Sequence, residues 1–164
     1  MKVRDIMEPL HSWLTPEMTV LDAIEAMKHS RRSHGLPLNA IIVLDNDRKL
    51  VGIVSTTDIL RLLIPSYMYL DDQIEDNSSW DPVRADRTER ARSLHVRDIM
   101  TEDVRVINLH DSIMRCADIM LVEQIRRLPV VGTEGKVLGV VYLRDVYNNI
   151  TEILCNTSAA VANY

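Results

Sequence analysis

The apolar residues that follow Thr19 recur with the period of one helix face. Four of them stand at the i, i+3, i+4 and i+7 spacing: Val20, Ala23, Ile24 and Met27. Thr19 comes just before this pattern and Asp22 stands three residues after Thr19, which is typical of a capping box at a helix start. The pattern therefore predicts a helix that begins near Thr19 and buries one face.

Further along the chain the pattern changes to short, continuous apolar runs. Ala40–Leu44 and Leu50–Ser55 are rich in β-branched residues, and Asp45–Asp47 between them resembles a turn. Two buried strands are the prediction. A second helix with an apolar face follows, and Pro65 discourages its extension. The apolar residues of this face are Ile59, Leu62 and Leu63.

The second half of the chain repeats this order of elements. The five residues Val3–Met7 recur as Val96–Met100, and helical spacing returns at Ile113, Cys116, Ala117 and Met120. Strands are predicted at Leu128–Val131 and Val137–Tyr142, with a turn at Gly132–Gly135 between them. The apolar face of the last helix comprises Val146, Ile150, Ile153 and Leu154. The chain thus holds two copies of one unit, and such copies bury their apolar faces by packing on each other.

The copies divide the chain at composition changes. We predict repeat 1 over residues 1–65, a linker over 66–94, repeat 2 over 95–155 and a frayed tail over 156–164. Within the linker, Tyr67–Leu70 is apolar enough to pack, Asp76–Ser79 resembles a turn, and Arg84–Arg92 is charged and expected to be exposed and helical.

The net charge, the cysteines and the lengths of the apolar runs disfavour several classes of protein. The net charge of −5 disfavours a broad nucleic-acid-binding face. Cys116 and Cys155 form neither a CxxC pair nor a metal-ligand spacing, so free thiols in a reducing compartment are expected. No apolar run approaches the ~18 residues of a spanning helix, and the first residues lack a signal-peptide core. A cytoplasmic protein without a transmembrane segment is the prediction.

The segment Gly52–Asp58 joins a strand to a helix and carries the most chemistry. Glycine there lets a ligand or a second backbone approach closely. Ser55 ends the strand, Thr56 and Thr57 stand where a helix is capped, and Asp58 falls in the first turn. A carboxylate suits a cis-diol such as ribose, and backbone N–H groups with hydroxyls suit a phosphate. The alternative is a plain N-terminal cap.

With these motifs, the two copies resemble a tandem pair of CBS domains, also called a Bateman module. Gly52–Leu60 fits the family signature glycine–apolar–x–Ser/Thr–x–x–Asp, and Arg127–Val131 (RLPVV) and the two VRDIM segments are also family-like. The resemblance implies an α/β fold of two pseudo-symmetric repeats with clefts that bind AMP, ADP, ATP or S-adenosylmethionine. It also implies a homodimer formed through helices into a flat disc.

The resemblance also implies roles for individual residues. Asp58 would bind the ribose hydroxyls, Ser55 the ribose or phosphate, and Thr57 would lie nearby. In the second copy Asp145 keeps the ribose role, the bulkier Tyr142 replaces the small hydroxyl residue, and Arg144 would meet a phosphate. Arg126 and Arg127 match a basic pair that neutralises phosphates, and the alternative for them is a solvated pair at a helix end.

Two further features have weaker family counterparts. The segment Ser30–Asn39 is six residues longer than its counterpart and contains a basic cluster, for which surface exposure is predicted: His29, Arg31, Arg32 and His34. Adenine needs an apolar slot, and the candidates are Trp13–Pro16 and Val106–Asn108.

The function predicted is regulatory. An adenine nucleotide would shift the population between two arrangements of the repeats, and a protein partner would respond to the shift. The first rival is a dimerisation or protein-interaction module without a nucleotide. The second is an enzyme such as a nucleotide hydrolase, which the lack of an HExxH, GxSxG, Walker or CxxC motif disfavours, and no catalytic cofactor or metal is expected.

Overall fold

The computed structural model describes residues 1–64 and 80–161. The predicted stop at Pro65, the packing of Tyr67–Leu70 and the turn at Asp76–Ser79 lie outside the described residues. The helices are α1 (Val20–His29), α2 (Thr56–Leu63), α3 (Trp80–Ser93), α4 (Val96–Ile99), α5 (Ile113–Val122) and α6 (Leu143–Val161). The strands are β1 (Glu8–Pro9), β2 (Ala40–Leu44), β3 (Leu50–Ser55), β4 (Ile107–Asn108), β5 (Arg127–Val131) and β6 (Val137–Tyr142), and Val3–Asp5 forms a 3₁₀ turn.

The chain folds into two compact units. The first-repeat unit is His11–Val104, and the second-repeat unit combines Met1–Leu10 with Arg105–Tyr164. These units differ from the predicted segments 1–65 and 95–155, because each leading segment joins the unit built from the other repeat.

The first-repeat unit is built on an antiparallel β2–β3 pair whose register places Ala40 opposite Ser55. The extended segment before α1 runs parallel to β2, with Leu14 beside Val43. α3 packs against α1 and α2. Ala91 of α3 is buried as well. The main buried cluster of this unit is formed by Leu14, Ala23, Met27, Ile41, Val43, Val54, Ile59 and Val96.

The second-repeat unit has a four-stranded sheet in the order β1-β6-β5-β4. β5 and β6 are antiparallel, with Arg127 opposite Tyr142, and α5 and α6 pack on the sheet. The buried core is formed by Val3, Ile107, Ile113, Cys116, Met120, Leu128, Val130, Val141 and Val146. Val3 and Val96, the first residues of the two VRDIM motifs, are thus each buried in the core of the other repeat, where burial of a valine contributes about 1.5–3 kcal/mol.

The glycine of each strand-to-helix signature is explained by this exchange. A Cβ atom on Gly139 would lie 2.3 Å from the backbone oxygen of Glu8, and one on Gly52 would lie 2.7 Å from Sδ of Met100 and 3.0 Å from the oxygen of Thr101. The close approach predicted for Gly52 is therefore made by a second stretch of backbone. In each unit the end of one VRDIM segment, with the residue that follows it, contacts the strand at this glycine. Met100 and Thr101 lie against Gly52, and Met7 and Glu8 lie against Gly139.

Most of the predicted helix features are confirmed, and two are wrong. The Thr19–Asp22 capping box forms, and the hydrogen bonds from Thr19 lower the pKa of Asp22. The charged segment before repeat 2 is helical, as α3. Ile153 and Leu154, predicted to be buried, are exposed. The tail predicted to fray from residue 156 is helical as far as Val161, because α6 continues there.

The two cysteines have opposite environments. Cys116 is buried and Cys155 is exposed. Burial, with the nearby charge of Asp111, raises the pKa of Cys116 to about 11, so this thiol stays protonated at neutral pH. Its role is that of a small apolar core residue.

Within residues 1–64 and 80–161, the structure has no helix both long and apolar enough to cross a lipid bilayer.

Candidate functional site

Ser55 and Asp58 form a reciprocal cap where β3 passes into α2. Ser55 has extended backbone angles and is the N-cap residue, which corrects the prediction that Thr56 and Thr57 cap this helix. The Asp58 N–H donates to Ser55 Oγ at 3.3 Å, while the Ser55 N–H and Oγ–H both donate to Asp58 Oδ2, at 2.8 and 2.6 Å. Ser55 and Asp58 therefore do form an N-terminal cap of α2, which was the alternative to a ligand site.

The cap leaves acceptor capacity on the Asp58 carboxylate. Both bonds from Ser55 end on Oδ2, and Oδ1 lies 4.0 Å from Arg61 Nη1, beyond hydrogen-bond distance. The side chain is 16% exposed. Because a carboxylate has about four lone-pair sites, the cap orients the group without exhausting it. Capping and ligand binding are compatible roles for Asp58.

Thr57 is exposed at the second position of α2. The backbone here is fixed from the neighbouring strand, because the Thr56 N–H donates to the Asn39 carbonyl at 3.0 Å. Ser55, Thr57 and Asp58 thus lie together at one end of the β2–β3 pair. Asn39 and Arg61 belong to this end too and were missed, although Asn39 stands where repeat 2 has Arg126.

The second-repeat unit builds the same junction with different side chains. The Leu143 N–H donates to the Arg126 carbonyl at 2.9 Å, which matches the Thr56–Asn39 bond. Tyr142 lies opposite Arg127 in the β5–β6 ladder. Arg126 and Arg144 are exposed, and Asp145 is half-buried in the first turn of α6. The structure therefore brings all five predicted residues of the second copy to one edge, where arginines outnumber carboxylates.

The adenine candidates are only partly suited to a slot. Trp13 is 39% exposed, and the guanidinium of Arg48 lies 4.7 Å from the centroid of its ring. Leu14 is buried in the core. Arg48 has a left-handed φ of 62°, and Gly135 has a φ of 74° at the matching turn of the second copy. No pattern in the sequence predicted that Arg48 stacks on Trp13.

The basic cluster of the longer loop lies at the surface, as predicted, except that Arg32 is half-buried. Arg31 Nη1 donates to the carbonyls of Lys28 and Ser30, at 2.7 and 2.9 Å. His29 pairs with Glu25 at 3.4 Å. Among the side chains that the structure describes, no group of three or more histidines, cysteines and acids is arranged to hold a metal ion.

The family model for the CBS domain matches residues 3–65 and 96–152. Among similar proteins, MJ1426 of Methanocaldococcus jannaschii is 31% identical over 157 residues, which cover 89% of each chain. These matches extend over both repeats, including their VRDIM motifs and strand-to-helix junctions.

Solved structures agree in fold. The structure of CBSX2 in complex with AMP is 24% identical, with a TM-score of 0.67, covering 93% of this chain and 97% of that one. CBSX2 is a CBS-pair protein of Arabidopsis thaliana. The cytosolic domain of the Mg²⁺ channel MgtE in complex with ATP is 20% identical, with a TM-score of 0.64, covering 90% of this chain and 48% of that one. At these identities the likeness establishes the fold alone. The chain belongs to the CBS domain family, as a tandem CBS pair.

Proposed function

We propose that this CBS pair is a cytoplasmic regulatory module, rather than an enzyme, that binds an adenine nucleotide and passes its occupancy to a protein partner. The observation that carries the proposal is the Asp58 carboxylate. Its Oδ2 is fixed by Ser55, while its side chain remains partly exposed at a strand end. Relatives of the same fold that are solved with AMP and with ATP support the choice of ligand.

In this proposal the junction of β3 and α2 recognises the ribose. The vicinal hydroxyls of ribose donate to the Asp58 carboxylate, and a hydrogen bond to a charged group contributes about 1.5–3 kcal/mol. The hydroxyl groups of Ser55 and Thr57 lie beside it for a ribose or phosphate oxygen. In the second copy Asp145 plays the ribose role, while Arg126, Arg127 and Arg144 favour phosphate because guanidinium donates in a fork.

Regulation then follows from differential affinity. A ligand shifts the balance between two conformations only to the extent that it binds one of them more tightly. The partner would respond to the shifted population. AMP, ADP, ATP and S-adenosylmethionine are the candidate ligands.

A thermal-unfolding series with these four ligands tests the proposal. A ligand at 100 times its dissociation constant stabilises the folded state by about 2.7 kcal/mol, so at least one should raise the midpoint clearly. Ribose 5-phosphate at the same concentration is the control, because it lacks adenine. If none of the four raises the midpoint, the nucleotide proposal is refuted and the interaction-module alternative is favoured.

A second candidate role, assembly into a homodimer, is favoured by the outer face of α5 and α6. Each helix exposes three large apolar residues, two of which lie seven positions apart: Met114 (63%) and Leu121 (71%) on α5, Tyr147 (60%) and Leu154 (61%) on α6. In the first-repeat unit the matching helices α1 and α2 contact α3. Among its described residues, the second-repeat unit has no further helix besides the 3₁₀ turn. We propose that the same face of a second copy packs there.

Sedimentation of Leu121→Glu against Leu60→Glu tests this assembly. Leu60 is also an exposed leucine, on α2, and serves as the matched control. The protein and the control are expected to sediment as dimers, and Leu121→Glu as a monomer, because two buried carboxylates would face each other without partners. A monomeric parent protein, or equal dissociation of both variants, would contradict the assignment of the dimer to α5 and α6.

A further inference from the structure

The turn that joins β5 to β6 repeats the hydrogen bonds of the turn that joins β2 to β3. The Gly132 N–H donates to the Lys136 carbonyl at 3.0 Å, as the Asp45 N–H does to the Lys49 carbonyl, also at 3.0 Å. The residue before the lysine has a left-handed φ in both turns, 62° in the first copy and 74° in the second. The two turns therefore present the same backbone groups, and what those groups bind depends on the side chains around them.

One difference in side chain changes what the backbone N–H groups of the turn can bind. In the first copy, Asp45 Oδ1 accepts from the N–H groups two and four residues further on, at 2.9 and 2.8 Å. The residue at the matching position of the second copy is Gly132, which has no side chain. The N–H groups of Glu134 and Lys136 therefore lack the carboxylate that the first copy supplies. A carboxylate from another molecule would complete the same pattern.

A cavity of about 240 Å³ adjoins the turn in the second-repeat unit. Gly132, Glu134 and Lys136 line it from the turn, and Leu109 and Leu138 give it an apolar wall. Leu138 is 41% exposed, although it belongs to β6. The volume is below the about 300–1,000 Å³ of sites for drug-sized ligands, so the cavity is suited to a smaller molecule. The leucines favour a molecule with an apolar part.

The cavity lies at the end of the β5–β6 pair that is remote from the proposed nucleotide contacts. Arg127 and Tyr142 pair at one end of this ladder, and Val131 and Val137 pair at the end next to the turn. Along β5 the two ends are about 13 Å apart, at about 3.3 Å per residue. A ligand in the cavity is therefore separate from the nucleotide.

The two charged side chains of the turn are compatible with a bound carboxylate. Lys136 Nζ lies 2.9 Å from Glu134 Oε2, and both side chains are exposed. An ammonium group carries three donors and a carboxylate about four lone-pair sites, so this pair uses only part of what each group offers. An exposed ion pair also contributes little to stability and rearranges readily. Lys136 can offset the charge of a carboxylate ligand, and Glu134 can accept from an α-ammonium group.

We propose that this cavity binds a small carboxylate that has a short apolar tail. The carboxylate accepts from the N–H groups of Glu134 and Lys136, as the Asp45 side chain does from the matching groups of the first copy. The tail lies against Leu109 and Leu138. A free acid and an α-amino acid share this chemistry. The site goes beyond the proposed nucleotide function and does not depend on it.

The backbone amide signals in NMR titrations test this site, because they report on the two N–H groups directly. Hexanoate should shift the signals of Glu134 and Lys136 along a saturable curve. The signals of Asp47 and Lys49 should stay in place, because the Asp45 carboxylate already binds those groups. Hexanol lacks the carboxylate and acetate lacks the tail, so each should bind about tenfold more weakly or worse. Norleucine distinguishes the two sources: tighter binding than hexanoate identifies an amino acid, and weaker binding identifies a free acid.

Gly132→Asp is the most direct variant, because it supplies the carboxylate of the first copy. It should weaken hexanoate binding on the order of 10- to 100-fold. The fold should tolerate it, since the φ of Gly132 is outside the left-handed region and the nearest atom to a new Cβ is Leu138 Cδ1, at 3.1 Å, in a flexible side chain. Asn46→Asp adds the same charge to the matching turn of the first-repeat unit, and this control should bind hexanoate like the parent protein.

Leu138→Asn tests the apolar wall separately from the turn, and it keeps the proposal testable if Gly132→Asp fails to fold. It should weaken hexanoate binding and leave the weak binding of acetate unchanged. The proposal is overturned if neither hexanoate nor norleucine gives saturable shifts at Glu134 and Lys136. Equal affinity for acetate and hexanoate overturns the apolar site, and equal affinity for hexanol and hexanoate overturns the carboxylate site. Unchanged hexanoate affinity in either variant has the same consequence.

Discussion

Gly139→Ala is expected to destabilise the protein by about 3 kcal/mol, because the added methyl group has no space. Its Cβ would lie 2.3 Å from the Glu8 oxygen and 3.2 Å from the Glu8 carbon, both of them backbone atoms. The β1–β6 pairing through Pro9 and Glu8 holds that backbone in place. Overpacking of this kind lowers the free energy of unfolding by about 1–3 kcal/mol, occasionally more. The loss should be near the upper end here, because a rigid backbone cannot move aside as a side chain can. The free energy of unfolding from urea titration measures the effect.

Two other glycines provide graded controls for this prediction. At Gly52 the nearest atoms belong to the flexible side chain of Met100, so Gly52→Ala should cost less than Gly139→Ala. At Gly132 the nearest atom is Leu138 Cδ1, at 3.1 Å, and Gly132→Ala should change the stability by less than about 1 kcal/mol. The same loss in all three variants would show that glycine flexibility, rather than the crossing of a second backbone, determines the result.

Asp58→Ala is expected to weaken binding of the nucleotide identified by thermal unfolding by about 10- to 150-fold. The physical reason is the loss of the hydrogen bonds from the ribose hydroxyls to a charged carboxylate, which contribute about 1.5–3 kcal/mol. Calorimetric titration measures the change. Asp145→Ala, titrated in the same way, shows whether the second copy contributes to binding.

Asp22→Ala is the matched control for Asp58, because the two capping boxes have nearly the same geometry. The Thr19 N–H and Oγ–H donate to Asp22 Oδ2 at 2.8 and 2.7 Å, as the Ser55 groups do to Asp58. Each variant should lose about 1 kcal/mol of stability with its cap. Only Asp58→Ala should lose affinity, and unchanged affinity in that variant would leave Asp58 as a cap alone.

The stabilisation that Asp22 provides should decrease as the pH falls. Its folded-state pKa lies below the ordinary value, because the bonds from Thr19 favour the carboxylate. The stabilisation is therefore present at neutral pH and is lost as the pH falls through the folded-state pKa. The difference between Asp22→Ala and the parent protein should shrink in acid.

Local signals were enough to predict the longer elements of each repeat, but not the short elements β1, β4 and α4. The 3.6-residue spacing located α1 and α5, the β-branched runs located β2, β3, β5 and β6, and Thr19-x-x-Asp22 located a helix start. Each of these depends on contacts within a few residues along the chain, which sequence periodicity records directly. The strand-to-helix junctions with Ser55, Asp58 and Asp145 followed from the same signals. Ile153 and Leu154 were wrongly predicted to be buried, because helical spacing shows which face of a helix is apolar but not where along the helix that face stops being covered.

The sequence by itself thus determined that this protein has two copies of one α/β unit, each with an aspartate in the first turn after a strand. Only the tertiary structure decided which leading segment completes which unit. Val3 lies in the same buried cluster as Val141, and Val96 in the same cluster as Val54. Residues so far apart in the chain leave no periodic signal. Two physical effects explain why each leading segment joins the other repeat. The glycine on the strand leaves space for the backbone of the leading segment, and the valine of that segment is buried in the core of the unit.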